Sequence, residues 1–239
     1  MRDKMAMTKN VRRFLAAARE LSNRPIGVEG MAILWGDPGE GKSTTVAFAC
    51  NTLDGIFLRA NTCWTVTSML AALMVELGHP PAKRRAPMME AAVRTLTEQP
   101  RPIFIDEADY LFLQVAMLDA LRDIYDVTGS PVVLIGMEEF ARKVQSRGKF
   151  ARRITQWVEF SGIDADDART LADTLTDTKV ADDLLAHVHK AARKNIGRMV
   201  TGIARIEQFA KLNALETVTK KDWANRPLFY DQPRFARRS

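Results

Sequence analysis

Cysteine is scarce in this sequence: Cys50 and Cys63 are the only two among 239 residues. Nothing in their spacing places them as a pair. Both read as small buried hydrophobes, so the fold has to rest on an apolar core rather than on cross-links. Long apolar runs are missing as well. No stretch approaches the roughly 18 residues that cross a bilayer. The charged start, Met1-Arg-Asp-Lys, is not followed by the apolar segment of a secretory leader. These absences argue against a membrane partner and for a cytoplasmic location. Histidine occurs three times; His187 and His189 flank one residue of a predicted helix and face different ways, which argues against a metal site. There is no internal repeat and no low-complexity tract.

The remainder is ordinary for a globular chain, 46% apolar and 27% charged. The length suits one large domain, or one domain with a smaller companion. The formal net charge is +6. A basic balance of this kind suits a polyanionic partner such as nucleic acid. The charge is uneven: residues 161–178 carry five Asp and one Arg, whereas the C-terminal stretch Pro233-Arg-Phe-Ala-Arg-Arg-Ser is basic.

Residues 8–22 have helical spacing, with Val11, Phe14, Leu15 and Ala18 on one face. Five strands follow, at Met31–Trp35, Ile56–Leu58, Ile103–Ile105, Val132–Ile135 and Trp157–Phe160. Four are nearly continuous apolar runs, as in a sheet covered on both faces. Helical stretches at 42–53, 65–77, 87–98, 112–127 and 138–146 lie between them. This alternation implies an α/β fold: a parallel five-stranded sheet sandwiched by helices. After residue 160 the pattern changes to three helices, at 164–175, 180–194 and 197–213, with no strand between them and Asp164 as N-cap of the first. The expected layout is an N-terminal helix and lead-in over 1–30, an α/β core over 31–161, a helical lid over 162–225 and a basic tail over 226–239.

Two motifs carry chemistry. Gly36-Asp37-Pro38-Gly39-Glu40-Gly41-Lys42-Ser43 follows an apolar strand and opens a helix, with Thr44 next in its first turn. In that context G-x-x-x-x-G-K-[ST] is a phosphate-binding loop. Its glycines let backbone N–H groups converge on phosphate oxygens, and the helix N-terminus adds partial positive charge. Lys42 is placed to reach the β- and γ-phosphates of ATP, and the Ser43 hydroxyl to ligate Mg²⁺. The second motif, Pro102-Ile-Phe-Ile-Asp106-Glu107, is an apolar strand ending in two carboxylates. Asp106 suits the Mg²⁺ shell, and Glu107 suits orienting or deprotonating a water. An adjacent Glu favours hydrolysis over transfer to a substrate hydroxyl.

Phosphate loop, Asp-Glu strand and helical lid, in this order, resemble an AAA+ ATPase over roughly residues 10–225. The resemblance implies a sensor arginine, Arg198, in Asn195-Ile-Gly-Arg198. It also implies an arginine finger acting on a neighbouring subunit, from Arg147, Arg152 or Arg153. At the end of the fourth strand many relatives carry Asn or Thr; here Gly136-Met137-Glu138 stands instead, which predicts slow turnover. Within the superfamily the chain is similar to the transposition and target-selecting ATPases typified by the B protein of phage Mu. The cues are the 8–22 helix leading into Pro25-Ile-Gly27, the Leu134-Ile-Gly-Met-Glu138 turn and the minimal lid. That likeness implies ATP-dependent self-association into a filament on double-stranded DNA, recruitment of a transposase, and a phage-encoded protein in the host cytoplasm.

Gly78-His-Pro-Pro-Ala-Lys83-Arg84-Arg85-Ala-Pro87 reads as a loop whose prolines stop both flanking helices. Its three adjacent cations suit phosphate contacts with DNA, and Thr62, Trp64 and Thr65 lie after the second strand as possible helpers. Trp223, Phe229 and Tyr230 are expected to pack on the lid. Alternatives are another AAA+ switch such as a helicase loader, a P-loop kinase of small molecules, and a nucleotide-gated scaffold that scarcely hydrolyses.

Overall fold

The computed structural model describes residues 1–229. It divides into two compact units: Asn10–Ser161, and Met1–Lys9 together with the chain from Gly162 onward. The calls on Tyr230 and on the basic end of the tail, Pro233–Ser239, lie outside the described residues.

The larger unit opens with helix α1 (Lys9–Ser22). Strands β1 (Met31–Gly36), β2 (Ile56–Arg59), β3 (Ile103–Asp106), β4 (Val132–Gly136) and β5 (Ile154–Phe160) form one sheet in the order β2-β3-β4-β1-β5. Every pairing is parallel. The connections are α2 (Lys42–Thr52), α3 (Val66–Glu76), α4 (Arg85–Glu98), α5 (Val115–Thr128), α6 (Glu138–Gln145) and the short α7 (Gly148–Ala151). The sheet is α/β, parallel and five-stranded as expected, because strands buried on both faces need apolar side chains in both directions. β3 and β4 are buried at every residue. On one face Ile33, Ile105 and Leu134 pack with Leu73 of α3, Leu96 of α4 and Leu121 of α5. On the other, Phe14 of α1 meets Phe104 and Phe160 edge-on, with ring centroids 6.5 and 6.2 Å apart.

Four expectations need correction. β5 begins at Ile154, three residues before the apolar run, because its first turns alternate in exposure as an edge strand does. α4 begins at Arg85 and takes Pro87 into its first turn, where proline is tolerated because no intrahelical N–H is required. The stretch from 112 is not one helix: a 3₁₀ turn, Ala108–Leu113, precedes α5. The second unit does contain strands, as given below.

That unit holds α8 (Ala165–Leu175), β6 (Lys179–Val180), α9 (Asp182–Ala192), α10 (Ile196–Leu212), β7 (Thr217–Val218) and α11 (Lys220–Trp223). β6 and β7 pair in parallel over two residues, too few for an alternating pattern to show in sequence. Asp164 caps α8 by accepting from Asp167 N at 3.0 Å. The core gathers Leu171, Leu184, Val188, Ile203, Ile206 and Trp223. The first nine residues join this unit: Arg2 N donates to Leu175 O, and the Met1 amine pairs with buried Glu207. Among the described residues no helix is long and apolar enough to cross a membrane.

Candidate nucleotide-binding site

The phosphate loop leaves β1 at Gly36. A Cβ there would sit 2.4 Å from Phe160 O, so the neighbouring strand excludes any side chain. Gly39 and Gly41 have φ of 82° and 79°, a left-handed backbone that glycine adopts without steric cost. Gly41 is also the N-cap of α2 and supplies no side-chain cap, so the helix presents uncapped N–H groups beside the loop. Lys42 is the first residue of α2. Its Nζ donates to Gly36 O at 2.7 Å and Asp37 O at 2.9 Å, which holds the ammonium across the loop. Burial lowers its pKa below the ordinary lysine value, against the opposing charges of Asp106, Asp109, Glu40 and Asp37. Ser43 and Thr44 are exposed in the first turn, while Glu40 is buried.

Asp106 ends β3 and is 3% exposed. Its Oδ1 accepts from Glu107 N at 3.0 Å; its Oδ2 is buried with no hydrogen-bond partner among the described residues. An ionised oxygen in that position is costly unless something cationic or a donor meets it. The donor set thus fits a hard divalent ion: one carboxylate oxygen and one hydroxyl, with no group of three or more His, Cys, Asp or Glu among the described residues that could hold a metal by itself. Mg²⁺ bound by one or two protein oxygens plus phosphates and waters has this pattern.

Glu107 has φ 55°, a left-handed conformation rare for a residue with a Cβ. Its Oε1 lies 3.2 Å from Arg59 Nη2, at the end of β2 where Arg59 is in register with Asp106. Arg59 was not singled out in sequence. A lone arginine at a strand end carries no motif, and only β2–β3 pairing brings it to Glu107.

Asp109 was missed as well. It is the second aspartate of Asp106-Glu-Ala-Asp109, and it accepts from Met137 N at 3.2–3.3 Å. Burial raises its pKa above the ordinary carboxylate value. Its three-residue spacing from Asp106 was the available signal. At the end of β4, Met137 is exposed, and Glu138 is engaged with Arg142 of its own helix at 2.5–3.0 Å.

The three candidate finger arginines have different surroundings. Arg153 is buried, forms a two-pronged pair with Asp126 and also donates to Lys149 O. Its guanidinium is thereby committed within the unit. Arg147 lies 5.3 Å over the Phe112 ring. Arg152 is exposed and has no charged or hydrogen-bonded side-chain partner among the described residues. In the second unit, Asn195 caps α10 through Arg198 N at 3.0 Å, and the Arg198 guanidinium stacks 4.3 Å over Phe229.

Lys83, Arg84 and Arg85 are all exposed. Arg84 is the N-cap of α4 and Arg85 its first residue, with no side-chain cap and no acid in the first turn. Of the neighbours considered with them, Trp64 is buried in the core and Thr65 caps α3 in a reciprocal box with Ser68, while Thr62 is exposed. His189 binds Ile163 O at 2.8 Å. Cys50 is buried, but Cys63 is exposed; neither forms a disulfide. Trp223 is buried against Phe209, and Phe229 packs near Gly202.

Residues 26–144 match the family model for the AAA domain. No curated protein matches the sequence. Among solved structures, the chain is similar to Cdc6p from Pyrobaculum aerophilum, with a TM-score of 0.66 and 16% identity, covering 92% of this chain and 68% of that one. It is similar to the ORC2 protein of Aeropyrum pernix in its ADPNP–ADP complexes, with a TM-score of 0.70 and 14% identity over 92% and 68%. The RuvB Holliday junction branch migration motor of Thermotoga maritima gives a TM-score of 0.59 and 16% identity over 89% and 66%. The chain spans about two thirds of the length of each, and at such identities the likeness is one of fold. Phosphate loop, Asp-Glu strand and sheet order thus accompany a match of residues 26–144 to the AAA domain, and the chain has the α/β fold of AAA+ ATPase cores.

Proposed function

We propose that the protein is an ATP-dependent, sequence-nonspecific double-stranded DNA-binding ATPase that assembles on DNA and recruits a transposase during target selection. The observation that carries the ATPase part is at one sheet edge: the phosphate loop with Lys42, the buried Asp106 Oδ2 with no hydrogen-bond partner among the described residues, and the carboxylate of Glu107. In this reading Lys42 holds the β- and γ-phosphates, and Ser43 and Asp106 hold Mg²⁺, which neutralises charge building on the phosphate oxygens. Glu107 accepts the proton of a water whose oxygen attacks the γ-phosphorus as the bond to ADP breaks. Arg59 meets Oε1 of Glu107 at 3.2 Å in an exposed pair, which is weak. Arg147 or Arg152 would complete a neighbour's site, and Arg198 would report the γ-phosphate.

The DNA part is supported by the +6 charge and by the exposed Lys83, Arg84 and Arg85. Cations at a helix N-terminus oppose the helix dipole, and a polyanion would relieve that repulsion. The transposase part is supported by the sequence resemblance alone. A second reading, an initiator or helicase-loader type of switch, is favoured by the fold likeness to Cdc6p and ORC2.

The test is binding to a random-sequence duplex and to a single strand, with ATP, ADP or no nucleotide, across a salt series. Cooperative, salt-sensitive duplex binding with ATP alone is expected. Preference for the single strand would move the assignment to the second reading. No binding in any state would remove DNA and leave a protein-directed switch or a kinase.

A further inference from the structure

Asp109 is a carboxylate at the nucleotide edge that the hydrolytic scheme above does not use. Its placement is built by the chain on both sides. After Asp106 the left-handed Glu107 turns the backbone, and the 3₁₀ turn from Ala108 carries Asp109 towards the end of β4. There both carboxylate oxygens accept from Met137 N, at 3.3 and 3.2 Å. A Cβ on Gly136 would lie 2.8 Å from Asp109 Oδ2 and equally close to the Phe140 ring. The carboxylate and that ring therefore share the space into which a side chain from the last residue of β4 would extend.

Strand order makes that space significant. β4 lies between β3 and β1, with Leu134 in register with Ile105 and Gly136 with Trp35. The end of β4 is thus flanked by the strand ends that carry Asp106 and Gly36. Electrostatics link the same groups: burial holds the Asp109 pKa above the ordinary carboxylate value, with the Glu107 charge adding to that shift and the Lys42 charge opposing it. A water attacking the γ-phosphorus has two hydrogens. Glu107 takes one as a proton; the other needs an acceptor, and neither Gly136 nor Met137 brings a polar side chain.

We propose that Asp109 is a further catalytic residue, whose carboxylate accepts the second hydrogen bond of the attacking water from the position that Gly136 leaves without a side chain. No proton is transferred to it; the proton released in the attack goes to Glu107, as the γ-phosphorus–oxygen bond to ADP breaks. The inference rests on the hydrolytic reading of this site.

The test compares Asp109→Ala and Asp109→Asn with the wild-type chain in three measurements: steady-state ATP turnover, affinity for a fluorescent ATP analogue, and thermal midpoint. The alanine variant is expected to lose at least tenfold in kcat, with analogue affinity within threefold of wild type. The asparagine variant keeps an acceptor oxygen for both Met137 N and the water, and is expected to stay within threefold of wild-type kcat. Wild-type turnover in the alanine variant would overturn the inference while leaving the ATPase reading intact. So would a loss of turnover matched by an equal loss of analogue affinity or by a collapse of the thermal midpoint that asparagine restores, since that marks a structural brace. A wild-type chain that binds the analogue but never hydrolyses ATP, with or without DNA, would remove the ATPase reading and this inference with it.

Discussion

Lys42 shows how burial tunes one side chain for an anion. Its ammonium is partly desolvated and satisfied by two carbonyls, and its pKa lies below the ordinary lysine value. A phosphate beside Nζ favours the charged form and raises that pKa. Between the lowered and raised values, ATP binding therefore takes up protons, and affinity falls as pH rises through the lower one. Calorimetry of ATP binding in buffers of different ionisation enthalpy, at alkaline pH, should show this uptake, and Lys42→Met should lose it together with most of the affinity. Arg153 shows the opposite use of a cation. Its side chain is 10% exposed and paired with Asp126. Arg153→Ala should cost about 2 kcal/mol of stability, because it removes a packed side chain and its charge-assisted hydrogen bonds to Asp126. Exposed Arg152→Ala should change stability by less than about 0.5 kcal/mol. Urea unfolding of the two variants checks the contrast.

At the scale of elements, α4 sets its charge against its own dipole. Lys83, Arg84 and Arg85 stand at its N-terminus, where acids are the stabilising choice. Replacing all three by alanine should stabilise the unliganded protein by about 0.3–1 kcal/mol. The same change should weaken duplex binding and reduce the slope of log affinity against log salt by about 2.7, if all three meet phosphates. A salt slope equal to that of wild type would show that DNA is met elsewhere. The 3₁₀ turn after β3 has a comparable logic. It interrupts the helical pattern read from 112 to 127, and the interruption places Asp109 against Met137.

At the scale of the molecule, a site completed by a neighbour makes assembly part of the chemistry. Arg152, exposed and without a side-chain partner among the described residues, suits that use better than the committed Arg153. In a head-to-tail assembly, Glu107→Gln and Arg152→Ala chains should each be nearly inactive alone. An equimolar mixture should regain about a quarter of wild-type turnover, because a quarter of interfaces then join an intact Glu107 to an intact Arg152. Turnover of the mixture equal to the mean of the separate variants would show that Arg152 does not act across an interface. The division into two units also differs from chain order. The first nine residues, which end on the first residue of α1, come before the larger unit in sequence yet pack with the segment from Gly162 onward, where Met1 meets Glu207 and Lys9 meets Asp164 and Asp166.

The sequence by itself determined the elements whose signals are local. Apolar runs bounded by helical spacing specify a covered parallel sheet, and the Gly36–Ser43 turn from strand to helix is legible because its residues are contiguous in the chain. Asp164 as an N-cap is legible for the same reason. Tertiary structure decided what depends on partners far apart in sequence. Arg59 reaches Glu107 only because β2 pairs with β3. Arg153 is drawn inward only because Asp126 of α5 lies beside the start of β5. Asp109 gains its place only because β4 ends in a glycine beside it. Residue type and spacing carry no record of such pairings; they are set when the sheet closes and buried charges must find their counter-groups.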